Sequence, residues 1–456
     1  MEAEMKARYI ALTDINNGIE IDDIQSLVRL LVYSNVIDIE GLINCTSCFV
    51  KITGCRQEQI IHKHIDAYAK VKPSLDLHED GFPSAEYLHS ITASGIESFG
   101  DVPEKAFAHE KYNSNRGVQL IYKALQKDDE RPLWFGLWGG ANTLAQALWM
   151  VKQYLPEESG KIFSKVRIYG ISDQDYAAKW IRKEYGDRLF YIVTPSDWTG
   201  KGGKDYYKAT WPGISADHSE HGCDDGKSRT KGFTGADHTL INNRWIFKNI
   251  RRKGALGRRY PYTHFLTEGD TPSFLGLIPN GLNNPEHPEY GSWGGRYTLQ
   301  KIAEEPFAIW TSTCDTVVGN DGRQHTSQQA TVWRWRQDFQ GDFASRMLWC
   351  VKPYNECMHP PIIDCFQQNI TATPGQTVTL SARVRDVDGK GLAEKWLVYA
   401  EAGNTTESIQ LTHTKEPFCC LLTAPAYKCS VHIVLAVSGL EFPSPTRYVR
   451  FIVTVE

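Results

Sequence analysis

Tyr9-Ile10-Ala11-Leu12-Thr13-Asp14, followed past a Gly18 loop by Asp22-Asp23 and then by Ile24, Leu27, Val28 and Leu31, is the stretch that decides the fold. Residues 9–12 form a short apolar run of strand type. Ile24, Leu27, Val28 and Leu31 recur at i, i+3, i+4 and i+7, the period of one helix face. Strand, loop and helix in that order open a βαβ crossover. Three carboxylates crowd the loop, and such a cluster is costly unless a cation or a polyhydroxyl ligand offsets the repulsion.

The same alternation continues outward. A strand is expected at 37–43, and Ile60, Ile61, His64, Ile65 and Tyr68 mark the next helix. Strands at 133–137 and 166–171 precede helices at 142–154 and 176–185, and 189–193 is a further strand. Strands separated by helix-length patterns predict an α/β fold with a mainly parallel sheet flanked by helices. The pattern changes near His359-Pro360-Pro361, where X-Pro geometry suits an extended linker. Beyond it, β-rich runs at 378–385, 395–399, 431–437 and 448–455 alternate with turn chemistry such as Asp386-Val387-Asp388-Gly389. The expected domains are therefore 1–358, the α/β part, and 359–456, a C-terminal immunoglobulin-like β-sandwich.

Composition narrows the partners. The 456 residues exceed the size of a single core, which stops growing at about 250–300 residues. Hydrophobic residues at 41% and charged residues at 23% are globular usage. Fifty Lys plus Arg against 54 Asp plus Glu leave a charge of -4, which offers no footprint for a nucleic-acid polymer. The basic stretch 248–259 reads as a solvated helix end. No run approaches the roughly 20 apolar residues of a membrane span. The stretch 1–6 lacks the apolar core of an export signal, so the expected compartment is the cytoplasm, or the outside if a leader has been removed. Eleven cysteines include one isolated C-x-x-C, Cys45 and Cys48, without a second pair for zinc, and read as free thiols.

In open α/β sheets ligands collect beyond the carboxyl ends of the strands. Asp14, Asn44, Gly139-Gly140-Ala141-Asn142-Thr143, Ser172-Asp173-Gln174-Asp175 and Asp270 all follow expected strands. Helix capping explains Asn142, Thr143 and Asp173 taken singly. Asp14, Asp23 and Asp270 together read as a site. Oxygen-only donors suit Ca²⁺, with Mg²⁺ second, because about 6 to 8 coordination positions leave room for water and substrate hydroxyls.

These residues resemble the nucleoside hydrolases, whose hallmark on the first βα loop is D-x-D-x-x-x-D-D. Gly139-Gly140-Ala141-Asn142-Thr143-Leu144-Ala145 is similar to their G-P-L-T-N-L-A segment, and Asp270 to their late His-Asp-Pro segment. A nearer likeness is the nucleoside hydrolase-like family with an appended immunoglobulin-like domain, some of whose members carry the label cellulose-binding protein. Ser172-Asp173-Gln174-Asp175, Glu268-Gly269-Asp270-Thr271-Pro272-Ser273-Phe274-Leu275 and Gly291-Ser292-Trp293-Gly294-Gly295-Arg296-Tyr297 resemble its signatures. The resemblance implies that Asp14 is metal ligand and general base, that Asp23, Asp270 and the main-chain oxygen of Asn142 are metal ligands, and that Asp22 holds sugar hydroxyls. The chain departs from the hydrolase pattern in three places. Leu12 replaces the first aspartate, seven residues instead of three separate Asp14 from Asp22, and Gly269 replaces the histidine of the late pair.

The resulting expectation is a metal-dependent hydrolase of N-glycosidic or related glycosidic bonds, with a cation-bound water activated by Asp14 and a sugar-containing small molecule as substrate. Asn44, Asp173, Glu268, Trp293 and Arg296 are expected substrate contacts. The alternative is a non-catalytic carbohydrate, or cellulose, binder that uses Trp293, Trp310, Trp333 or Trp335 as flat faces for sugar rings. Core packing is the competing reading for each tryptophan. His264 and His325 are candidate proton donors to the leaving group.

Overall fold

The computed structural model describes residues 6–18, 20–100, 107, 110–194, 214, 235–263, 267–302, 305–365 and 367–456. The strands β1 Ala7–Thr13, β2 Ile37–Asn44, β3 Thr92–Ser94, β4 Leu133–Leu137, β5 Val166–Gly170, β6 Phe190–Val193, β7 Tyr297–Gln300 and β8 Ile309–Ser312 share one 8-stranded sheet. Their order is β3-β2-β1-β4-β5-β6-β8-β7, with every neighbouring pair parallel except β7 and β8.

Successive side chains on a strand point to opposite faces, and the core divides accordingly. Ile10, Leu12, Phe135, Leu137 and Ile168 enter one apolar cluster beneath the helices Arg116–Leu125, Asn142–Tyr154 and Tyr176–Tyr185. Tyr9, Ala11, Trp134 and Tyr169 enter another, beneath Ile21–Val32, Cys55–Ala69 and Arg336–Trp349. Burial of both faces is the reason these strands are nearly continuous apolar runs. No helix among the described residues is long and apolar enough to cross a membrane.

From β1 the chain moves outward to β2 and β3, then returns to β4 on the other side of β1. This reversal opens a crevice beyond the carboxyl ends of β1 and β4, the place where such sheets bind ligands.

The C-terminal region carries β9 Asn369–Ala372, β11 Leu392–Val398, β14 Cys429–Gly439 and β15 Thr446–Val455 in a 4-stranded sheet, order β9-β15-β14-β11. A 3-stranded sheet opposes it, built from β10 Thr377–Ser381, β13 Cys419–Thr423 and β12 Leu411–His413. Leu380 and Leu422 from one sheet meet Val431, Ile433 and Phe451 from the other in a single core, which makes the pair a sandwich. Every pairing within these two sheets is antiparallel except that of β9 with β15.

The larger sheet docks on the α/β part. Tyr399, Val434 and Tyr448 join the same apolar cluster as Trp293, Trp335 and Phe339. Trp293 Nε1 donates to the Tyr448 hydroxyl at 3.0 Å, which donates to Asp338 Oδ2 at 2.7 Å. Arg450 Nη2 donates to the main-chain oxygens of Gly291 at 2.7 Å and Leu282 at 3.1 Å. Gly291 has φ +76, and a Cβ there would fall 2.1 Å from the Tyr399 hydroxyl, so the joint requires glycine.

Candidate functional site

Asp14 is the first residue past β1, Asp23 lies in the first turn of the helix Ile21–Val32, and Asp270 stands just before the short helix Pro272–Leu275. Oxygens of Asp14, Glu20 and Asp23 lie within 4.8 Å of one another, as do oxygens of Asp22, Asp23 and Asp270, so Asp23 belongs to two triads. Asp14 and Asp23 are 1% exposed and Asp270 3%, which makes the cluster a buried one.

Short hydroxyl contacts orient the carboxylates. Ser47 Oγ donates to Asp14 Oδ2 and accepts the main-chain N–H groups of Phe49 at 3.0 Å and Val50 at 2.9 Å. Thr13 Oγ1 donates to Asp23 Oδ1 and accepts the N–H of Ile15 at 3.1 Å. Asp14 Oδ1 and Asp270 Oδ2 remain buried with no hydrogen-bond partner, and so do Asn44 Nδ2 and Gln174 Oε1 on neighbouring strand ends.

Burial, with repulsion from Asp22, pushes the Asp14 carboxyl up to about 7 against the opposing bond from Ser47. Burial and the charges of Asp14 and Asp22 raise Asp23 well above its ordinary range, and burial with Asp23 and Asp22 does the same to Asp270. Orphaned, desolvated carboxylate oxygens are what a hard divalent cation would satisfy. The donor set therefore fits Ca²⁺ or Mg²⁺.

Two glycines let the backbone after β4 approach. A Cβ on Gly139 would sit 2.9 Å from both Asp14 Cβ and Cys45 Sγ, and one on Gly140 would sit 2.4 Å from Asp175 Oδ2. Asp175 ties the rim together. Its Oδ2 accepts the N–H groups of Ala141 at 2.8 Å and Asn142 at 3.0 Å, while its Oδ1 caps its own helix at Ala177, 3.0 Å.

Residues 8–297 match the family model described as the cellulose-binding Sde182, nucleoside hydrolase-like domain, and residues 377–455 match the C-terminal domain of cellulose-binding protein Sde0182. The chain belongs to the Sde182 family. Among solved structures it is similar to a nucleoside hydrolase-related hypothetical protein from Saccharophagus degradans, described as associated with carbohydrate metabolism. That likeness has 28% identity and a TM-score of 0.77, over 99% of this chain and 100% of the other. The effector protein XOO4466, at 11% identity, and the type III effector XopQ complexed with adenosine diphosphate ribose, at 12%, match at TM-scores of 0.32 and 0.33 over 76% of this chain and 93% of theirs, too low to carry an argument. No curated protein matches.

Within this Sde182-family fold, four of the expected substrate contacts are engaged elsewhere. Asp173 is held by both terminal nitrogens of Arg182, at 2.8 and 2.7 Å, and Arg182 also pairs with Glu305 at 2.7 Å. Glu268 pairs with Arg29, accepts the Tyr260 hydroxyl at 2.7 Å and the Thr271 hydroxyl at 2.8 Å, and is fully buried. Trp293 is packed at the domain joint, leaving no face for a sugar. Arg296 Nε donates to Asp315 Oδ1 at 2.7 Å, and Asp315 Oδ2 accepts the Tyr399 hydroxyl at 2.8 Å, which extends the same joint. Burial likewise removes Trp333 and Trp335 as sugar platforms, while Trp310 packs against Phe190.

Asn44 stays at the rim: its Oδ1 accepts the N–H of Gly54 at 3.2 Å and its amide nitrogen is unpartnered. Asn142 opens its helix, and its side-chain amide donates to Thr46 Oγ1 at 3.0 Å and to the Ser98 carbonyl at 3.1 Å. His325 is paired with Asp321 at 2.9 Å on the hairpin that contains Gln324–Ser327, and His264 lies outside the described residues.

Sequence reasoning passed over Thr13, Ser47 and Phe49, whereas the long loop between Asp14 and Asp22 had offered Glu20, with Asn16 and Asn17, as additions to the rim. Ser47, three positions beyond the end of β2, sits where strand-end loops converge, which was the available signal. The Phe49 ring, 39% exposed, stands two residues from the serine that holds Asp14.

Proposed function

We propose that this protein hydrolyses N-glycosidic, nucleoside-like bonds or related glycosidic bonds with the help of a divalent cation, Ca²⁺ ahead of Mg²⁺. Asp14, Asp23 and Asp270 would hold the ion, with Glu20, Asp22 and the main-chain oxygen of Asn142 as further donors. The observation that carries this reading is the pair of buried, unpartnered oxygens, Asp14 Oδ1 and Asp270 Oδ2, in two carboxylate triads that share Asp23 at the strand reversal. A bound cation supplies neutralising charge and orients sugar hydroxyls.

Asp14 is the proton acceptor. With Oδ1 facing the ion, Oδ2, held by Ser47, would take the proton of the water that attacks an anomeric carbon of oxocarbenium character. A bound cation would lower the raised pKa of the Asp14 carboxyl and so keep it ionised, as a proton acceptor must be. Asp22 and the orphaned Asn44 amide would bond sugar hydroxyls, and the exposed Phe49 ring would offer an apolar face to the sugar or its leaving group.

Gly269, standing where the hydrolases carry histidine, favours a second reading: a carbohydrate or cellulose binder without turnover. An assay for released product on a panel of nucleosides and oligosaccharides, with the wild type beside Asp14→Asn, separates the two. Turnover that is lost in Asp14→Asn supports the hydrolase; sugar binding by both proteins with turnover by neither supports the binder.

A further inference from the structure

The helix Cys55–Ala69 and the short helix Ala85–Ser90 bring two histidines together. His62 Nδ1 and His89 Nδ1 face each other at 2.7 Å, with ring centroids 4.9 Å apart. The opposite nitrogen of each ring faces a carboxylate: His62 Nε2 lies 3.5 Å from Glu58 Oε1, and His89 Nε2 lies 3.2 Å from Asp66 Oδ1.

An ionised carboxylate only accepts hydrogen bonds, so the facing carboxylates favour the tautomer with its proton on Nε2 in each ring. Ser94 and Arg116 hold Glu58 below the ordinary carboxyl range despite its burial, which keeps it an acceptor. Neutral rings protonated at Nε2 then present two Nδ1 lone pairs to each other at a distance where lone pairs repel. The conflict disappears if a proton or a metal ion lies between them.

We propose that His62 and His89 form a binding site for a divalent transition-metal ion of the imidazole-preferring class, with Zn²⁺ as its occupant. A ring nitrogen that ligates such a metal commonly has its partner N–H anchored on a carboxylate, and both rings here have that support. Two nitrogens on tetrahedral Zn²⁺ stand about 3.3 Å apart at the usual Zn–N length. The rings therefore need to part by about 0.6 Å, a movement within reach of side-chain rotation. Glu58 and Asp66 outweigh the guanidinium of Arg116, whose Nη1 is 3.1 Å from Glu58. Side chains of His62 and His89 are 22% and 33% exposed, so an ion can enter and water can complete the coordination. The donors are nitrogen, unlike the all-oxygen cluster at the sheet, so the two sites select different metals.

The test is calorimetric titration of the full chain with Zn²⁺ in the presence of excess Ca²⁺, for wild type, His62→Gln and His89→Gln. The expected result is a binding event weakened at least about 10-fold by each substitution, and more mildly by Asp66→Asn. Cu²⁺ added at equimolar ratio should give an electron paramagnetic resonance signal with coupling to two imidazole nitrogens in the wild type, reduced to one in either variant. Identical titrations for all three proteins, or a Cu²⁺ signal unchanged by both substitutions, would overturn the assignment. The substituted residues lie on two different helices and are partly exposed, so misfolding of one variant leaves the other to decide.

Discussion

Gly139 packs directly on Asp14: a Cβ at this glycine would lie 2.9 Å from Asp14 Cβ and 3.0 Å from its carboxyl carbon. The loop after β4 thus forms one wall of the acidic site, and side-chain size there is coupled to carboxylate position. Gly139→Ala should cost about 1–3 kcal/mol in denaturant unfolding, as overpacking of a filled core does. It should also reduce the gain in melting temperature that Ca²⁺ gives the wild type.

Asp14 makes stability depend on pH. Its folded-state pKa of about 7 lies above the ordinary 3.8, so the fold favours the protonated form. This contribution is fully present below about pH 4 and is lost as pH rises through about 7. Asp23 and Asp270 are shifted in the same direction. Thermal melts of the chelator-treated protein should therefore show a falling midpoint between about pH 4 and 7, with Ca²⁺ restoring most of the loss above pH 7.

Asp270 carries a buried oxygen without a partner. Asp270→Asn removes the charge while keeping the shape, so the chelated variant should be more stable than the chelated wild type by about 1–3 kcal/mol at pH 8. The same variant should gain little from added Ca²⁺. Denaturant curves with and without the ion check both halves.

Trp293 belongs to the domain joint, bonded to Tyr448 and packed edge-on against Phe339 at a centroid distance of 6.3 Å. Trp293→Ala should destabilise the chain by about 3–5 kcal/mol. Titrated well below its lowered melting temperature, the variant should bind Ca²⁺ as the wild type does, because the tryptophan does not line the acidic cluster.

The fold was legible where pattern and punctuation agree. The run at 133–137, Gly139-Gly140 and the helix at 142–154 are read with their observed limits, because an apolar stretch, two small residues and a helical period follow without overlap. The helix Arg336–Trp349 escaped notice, since Arg336, Asp342 and Arg346 are buried on it and erase the amphipathic pattern. At the site, Asp14, Asp23 and Asp270 could be singled out as carboxylates at strand and helix ends. Asp173, Glu268 and Arg296 could not be separated from them, because a buried ion pair and a ligand-binding carboxylate use the same residue types. Their partners lie elsewhere in sequence: Arg29 is 239 positions from Glu268. Trp293 sits among glycines because the sandwich approaches closely there, a reason that only the joined domains reveal.

The central claim, a shared cation site on Asp14, Asp23 and Asp270, is tested most directly by calorimetric titration of Ca²⁺ into chelator-stripped protein at about pH 8, wild type against Asp23→Asn. Asp23 is common to both carboxylate triads. The predicted result is saturable binding of one ion per chain by the wild type and none by the folded variant. Absence of binding by the wild type, or equal binding by Asp23→Asn, would contradict it.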